Sequence, residues 1–140
     1  MKYIAYGSNM NIEQMKRRCP KALPIGKAIL ENYKLVFKGV ADIIKRENET
    51  VPVAVWEITD ECERALDRYE GYPTLYRKEY VKLIVNGKEE TAMVYVMNRE
   101  GIAPPGQHYY DVIEQGYKDF MVNVKPLERA LVESIKAVRK

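Results

Sequence analysis

The dipeptide Asn86-Gly87 sits between Tyr80–Val85 and Thr91–Met97, two runs rich in β-branched and aromatic residues. It is the strongest short hairpin signal in the chain, because both residues accept the positive φ that a tight two-residue turn requires. An antiparallel pair is therefore written into this stretch, and the remaining elements must be compatible with it. Leu23–Leu30 and Tyr33–Lys38 flank Glu31-Asn32, which suits a second hairpin turn. Val40–Ile44 is a short apolar run, Lys45–Thr50 reads as a charged loop, and Val51–Ile58 as a strong strand. Pro52 places that last strand near a start or a sheet edge. Asp60 opens a helix, with Glu63 three residues on as a capping-box signal. Its residues Cys62, Ala65, Leu66 and Tyr69 recur at the spacing of a buried face, and Gly71 ends it. Tyr110, Ile113, Tyr117 and Phe120 mark another amphipathic helix, after a Pro104-Pro105-Gly106 loop. Pro126 sits in the first turn of a last one, with Leu127, Leu131, Ile135 and Val138 as its stripe. Antiparallel strands with helices interspersed define an α+β fold. With no internal repeat, low-complexity segment or linker, residues 1–140 read as one domain, long enough for a normal core.

The N-terminus carries the pattern with most chemical content. Tyr3–Tyr6 reads as a strand, Gly7-Ser8-Asn9 breaks it, and Asn11–Arg18 reads as a short helix. A strand that turns through small residues into a helix leaves backbone N–H groups without partners at the positive end of the helix dipole. Such a junction cradles a carboxylate or a polarised carbonyl oxygen. Gly7 supplies a positive φ and lets a ligand approach the backbone. Ser8 and Asn9 either point at that ligand or, like Asn11, cap the helix.

Glu70 stands out among the acids. It falls in the last turn of the Asp60 helix, four residues beyond Leu66 and so beside the apolar face. The helix dipole disfavours its charged form there, and burial among Tyr69, Tyr72 and Tyr76 raises its pKa further, toward the range of a general acid–base. The competing reading is a solvated glutamate paired with Arg68 or Lys78. Asp67 points further from the apolar face and reads as structural or exposed. Eleven tyrosines stand against two phenylalanines, which suits either a pocket lined by phenols or simply tyrosine-rich strands.

Composition narrows the partners. The net charge of +3 is the difference of 23 basic and 20 acidic residues, spread along the chain, so nucleic acid is not favoured. The few apolar residues before Gly7 are too short for a signal peptide, and no run approaches a membrane span, so a cytoplasmic protein is expected. Cys19 and Cys62 are too few for a disulfide scaffold and are not spaced as a metal site; Cys62 reads as core. The single histidine, His108 in the Pro/Gly-rich loop, disfavours both a zinc site and a Cys–His nucleophile. Carboxylates, tyrosines and backbone are left to carry any chemistry.

Tyr6-Gly7-Ser8-Asn9-Met10 directly after an N-terminal strand resembles the signature loop of the γ-glutamylcyclotransferase-like family. The likeness runs on through Met15, Arg18-Cys19-Pro20, Ala41-Asp42-Ile43, Leu66–Tyr72 with Tyr76-Arg77, Ala92–Tyr95, Pro105, Tyr109 and Gly116. From about Val122 the chain departs from the family pattern. The resemblance implies a small, mostly antiparallel β-barrel flanked by helices. It implies Glu70 as the catalytic acid–base, and Tyr6, Gly7, Ser8, Asn9, Met10, Tyr95 and Tyr109 as substrate-binding residues. It also implies a small γ-glutamyl compound as substrate, no cofactor or metal, and a monomer or homodimer. The reaction so implied closes the γ-glutamyl group onto its own amine, giving 5-oxoproline and a free amine or amino acid. A non-catalytic binding module of the same fold, and an enzyme removing γ-glutamyl groups in a dedicated pathway, stand as the alternatives. Whether the loop holds the substrate carboxylate or the oxyanion is open at this level.

Overall fold

The computed structural model describes residues 1–139. Five strands, β1 (Lys2–Ala5), β2 (Leu23–Phe37), β3 (Ala41–Glu57), β4 (Tyr76–Val85) and β5 (Lys88–Met97), form one sheet in the order β2-β3-β1-β5-β4. Four helices, α1 (Ile12–Arg18), α2 (Asp60–Glu70), α3 (Gln107–Asp119) and α4 (Lys125–Val138), complete the α+β architecture. Every neighbouring pair is antiparallel except β1 with β5. The sheet curls so that its edges approach, with the Tyr33 hydroxyl of β2 donating to Glu79 of β4 at 3.1 Å. No ladder joins these two edges among the described residues.

The β4–β5 hairpin closes at Asn86 (φ 51°) and Gly87 (φ 82°), as the sequence predicts. The β2–β3 hairpin does not turn at Glu31-Asn32. It turns at Lys38-Gly39-Val40, where the Lys38 N–H donates to the Val40 carbonyl and Gly39 takes φ 82°. Asn32 instead sits at a break in register: Glu31 pairs with Thr50 and Tyr33 with Lys45, leaving residues 46–49 opposite Asn32. The charged stretch expected as a loop is thus a wide bulge carried inside β3. Asn32 (φ 64°) tolerates the left-handed conformation in a bulge as readily as in a turn, so its local signal fits both. Pro52 lies in the interior of β3 rather than at its start, but beyond the end of β1, where β3 has β2 alone as its ladder partner.

Helix α2 is capped by Thr59, whose hydroxyl accepts from the Cys62 N–H at 3.1 Å, rather than by an Asp60–Glu63 box. Gly71 ends it in the left-handed conformation. Cys62 and Leu66 are buried, but Tyr69 is half exposed, with the Arg18 guanidinium 3.4 Å above its ring. The two cysteines, too few for a disulfide scaffold, still form one disulfide that ties the end of α1 to the first turn of α2. His108 lies in the first turn of α3 rather than in a loop. On α4 the buried stripe is Leu127, Ala130 and Ser134, whose small members let the helix lie close to β2, while Val138 is exposed. No helix among the described residues is long and apolar enough to cross a membrane.

One core cluster runs through the sheet and under α3. Central β1 buries Tyr3, Ile4 and Ala5 between β3 and β5. Immediately after it, α3 presses on the chain: a Cβ at Gly116 would fall 2.6 Å from the Met10 carbonyl carbon and 2.7 Å from the Asn11 nitrogen. Only glycine permits that approach, and it holds the β1–α1 loop in place.

Candidate active site

Where β1 ends, a cavity of about 420 Å³ opens. Its walls are the loop Tyr6–Asn9, the end of α2 with Tyr69 and Glu70, the segment Thr74–Tyr76, the end of β5, Val40-Ala41, and Tyr109 of α3. Five regions far apart in the chain meet here, at a size suited to a small molecule. A roomier groove of about 750 Å³ runs between β2 and β4, but Glu70 and the tyrosine cluster lie elsewhere.

The loop closes as a 3-10 turn, Ser8–Met10, with the Met10 and Asn11 N–H groups bonded back to the Gly7 and Ser8 carbonyls at 3.0 Å. Among the described residues, nothing accepts from the N–H groups of Gly7, Ser8 or Asn9, which stand along the cavity wall. The cap of α1 is Asn11, whose side chain accepts from the Gln14 N–H at 2.9 Å. Asn9 braces the loop: its amide donates to the Tyr3 hydroxyl at 3.0 Å, its side-chain oxygen accepts from Arg18, and its carbonyl accepts from the Trp56 indole at 3.0 Å. Gly7 has φ −121°, so the expected positive φ is absent. Glycine matters there for space, since a Cβ would lie 3.2 Å from the Ala41 Cβ and 3.3 Å from the Tyr109 hydroxyl. Met10 is fully buried beneath α3 and does not line the cavity. Its long apolar side chain anchors the loop from below.

Glu70 faces the loop's cavity with no hydrogen bond or ion pair to any described residue. Burial lifts its carboxyl from an ordinary 4.5 to about 7, against the opposing pull of the Arg18 guanidinium. Lys78, one partner open to it in the sequence, bonds instead to Glu63 at 2.7 Å and Asp67 at 3.0 Å. Asp67 also accepts from the Tyr95 hydroxyl at 2.6 Å, so its role is to orient that ring. Tyr72 lies under Lys78 and takes no part in burying Glu70. The Tyr6 hydroxyl donates to the Tyr95 carbonyl at 2.7 Å, beside the fully buried Asp42, which is paired with Lys38 at 2.7 Å. The Tyr109 hydroxyl accepts from the Ala41 N–H at 2.9 Å. Burial raises the phenols of Tyr3, Tyr6, Tyr76, Tyr95 and Tyr109 above their ordinary range, so all five stay neutral at physiological pH. The cavity thus sets one titratable acid against a row of free backbone donors.

Residues 3–118 match the family described as gamma-glutamyl cyclotransferase, AIG2-like. The chain belongs to this family. It is 32% identical to the gamma-glutamylcyclotransferase of Homo sapiens, over 97% of this chain and 77% of that protein. It is also 32% identical to the one of Bos taurus, over 90% of this chain and 73% of that protein. A solved structure named gamma-glutamyl cyclotransferase superposes with a TM-score of 0.84 at 28% identity, covering 93% of this chain and 85% of its own. The relatives are enzymes by name, and the protein is an enzyme of this cyclotransferase family.

In this cyclotransferase-family fold, four residues at or beside the cavity were not singled out from the sequence as site residues: Tyr3, Tyr76, Asp42 and Arg99. Tyr3 was visible only as a member of a strand, and Tyr76 as one of the tyrosines expected around Glu70. Asp42 had a signal in hindsight, an acid inside the apolar run Val40–Ile44. Arg99 had none, because a charged residue after a strand reads as solvated.

Proposed function

We propose that the protein converts a γ-glutamyl amino acid or γ-glutamyl amine into 5-oxoproline and the free amine, with Glu70 carrying the proton. The observation that carries this reading is the unpaired Glu70 carboxyl, poised near pH 7 by burial, in a cavity whose opposite wall offers the free N–H groups of Gly7, Ser8 and Asn9. The relatives' shared name, gamma-glutamylcyclotransferase, supports it.

In this mechanism the substrate's neutral α-amine attacks its own γ-carbonyl carbon. A C–N bond forms, the carbonyl electrons move to oxygen, and the ionised Glu70 takes one proton from the attacking nitrogen. The resulting acid returns that proton to the leaving nitrogen as the original amide C–N bond breaks. The products are the five-membered lactam and the free amine, and Glu70 ends ionised as it began. Nucleophile and electrophile share one molecule, so the cavity has only to hold the curled conformer. Tyr6, Tyr95 and Tyr109 shape it as neutral phenols, and the loop N–H groups serve the developing oxyanion or the substrate carboxylate. Met10 supports the loop from beneath rather than touching substrate.

Incubation with a panel of γ-glutamyl amino acids and amines, following 5-oxoproline by chromatography, tests the reading. Release of 5-oxoproline with stoichiometric amine is the expected result. Binding of 5-oxoproline without turnover of any donor would identify a binding module instead.

A further inference from the structure

Glu70 is the only acid lining the cavity among the described residues, and Arg99 is the only base. Arg99 lies two residues beyond the end of β5 and stands exposed at the rim, where Asn98, Thr74 and Val40 also line the opening. One guanidinium nitrogen donates to the Lys38 carbonyl. Gly39 (φ 82°) lies beneath it, and a Cβ there would come within 3.3 Å of the same nitrogen. The β2–β3 turn therefore leaves room for this side chain and holds it on one side. The remaining guanidinium N–H donors have no partner among the described residues. Other cations nearby are already committed. Lys38 is paired with Asp42 at 2.7 Å and donates to the Arg99 carbonyl at 2.7 Å, while Arg18 covers Tyr69 and bonds Asn9.

We propose that Arg99 binds the carboxylate of the leaving group, so that the preferred donors are γ-glutamyl amino acids rather than γ-glutamyl amines. The inference rests on the cyclotransferase reading above. A γ-glutamyl amino acid carries two carboxylates, one retained in 5-oxoproline and one departing with the amino acid. The cavity has two sets of uncommitted donors at different places: the loop N–H groups in its wall and the Arg99 fork at its rim. The retained carboxylate, close to the ring-closing atoms, belongs deep in the cavity near Glu70. The departing one points outward and meets the planar fork, which matches a carboxylate through two parallel hydrogen bonds. An exposed rim also leaves the leaving group's side chain in solvent, so the site reads its charge and not its size.

The decisive pair of donors is γ-glutamylalanine and γ-glutamylethylamide, which differ only in that carboxylate. The readout is the ratio of their kcat/KM values. The unaltered protein is expected to favour γ-glutamylalanine. In Arg99→Ala that preference is expected to fall by about 10–100-fold, the worth of a charge-assisted bidentate pair, mostly through KM. Arg99→Lys should recover part of it, and Arg99→Gln, which keeps a polar side chain without the charge, serves if the alanine variant is poorly folded. An unaltered ratio in folded variants, or equal losses on both donors together with weaker 5-oxoproline binding, overturns the assignment; the second result would place Arg99 on the retained carboxylate. No 5-oxoproline from either donor with the unaltered protein overturns the cyclotransferase reading itself, and this inference with it.

Discussion

The two facing walls of the cavity are built on different principles. The Gly7–Asn9 wall is over-determined: α3 presses on Met10 through Gly116, Trp56 and Arg18 bond Asn9, and Tyr109 closes on Gly7. Its groups open to a ligand are main-chain N–H donors, whose positions are set by the packing of the fold around the loop. The Glu70 wall hangs from the end of one helix. Tyr69 and Leu75 beside it are exposed, and the segment after Gly71 is held by a few hydrogen bonds, such as those from the Asn98 amide to the carbonyls of Pro73 and Thr74. Its functional group is a single titrating side chain. A rigid wall of fixed dipoles suits recognition, while proton transfer depends on one pKa and one reach. The contrast makes separable demands on mutation.

The largest effect expected is on the chemical wall. Glu70→Gln should lower kcat by about 10²–10⁴-fold, the usual worth of a general acid–base group, while 5-oxoproline still binds, as isothermal titration would register. In the proposed mechanism Glu70 acts first as base, so the unaltered enzyme's rate should rise as pH climbs through about 7, and the variant should lack that limb. Stability follows the same group with a defined sign. The folded-state pKa is raised, so the unfolded chain loses this proton near pH 4.5 and the folded one near 7. Stability contributed below that window is lost as pH rises through it, by about 3 kcal/mol from this group. In Glu70→Gln, urea unfolding should show that slope removed. Near-normal turnover with a stability loss would reassign Glu70 to a structural role and turn attention to Asp67 and the tyrosines.

Much of the fold was legible where a local rule acts alone. Asn86-Gly87, Gly71 and Pro126 each announce one backbone conformation, and each is found in it. Legibility failed where the same local chemistry serves two geometries. Asn32 tolerates a left-handed conformation whether the chain reverses or merely bulges, and only the long register of β2 on β3 decides. Gly7 looked like a conformational glycine, yet its requirement comes from Ala41 and Tyr109, residues no local window contains. The cysteines lie 43 residues apart, so their meeting is a property of α1 against α2 and not of spacing. At the site, Glu70 was visible because it breaks a helix rule. Arg99 breaks none and was silent.

A smaller effect tests the recognition wall. Gly116→Ala puts a methyl within 2.7 Å of backbone at Met10 and Asn11, which can move only if the loop moves. We expect a loss of about 2–3 kcal/mol in urea unfolding, with weakened 5-oxoproline binding. A change below about half a kcal/mol, within the range of ordinary surface substitutions, would mean that α3 does not brace the loop.

The smallest belongs to the looser wall. Gly71→Ala meets φ 70° and the exposed side chain of Leu75, which can swing aside. The left-handed residue alone should cost about 1 kcal/mol, with turnover less affected than by Gly116→Ala. If Gly71→Ala proves the more damaging of the two to 5-oxoproline binding, the assignment of rigid and loose walls is reversed.

The central position of β1 has a consequence for the order of assembly. The hairpins β2–β3 and β4–β5 each close through a short turn and involve mostly neighbouring sequence. Strand β1 precedes both, yet it lies between them, pairing with residues 54–57 on one side and 92–93 on the other. Strand β1 is synthesised before both of its partners and must wait for residues that emerge long after it, so its insertion is what joins the two hairpins into one sheet. Such distant pairing is slow, because the entropy of closing the chain is spent before the contacts form. The loop that follows β1 inherits that delay, so the cavity wall it forms depends on long-range pairing being complete.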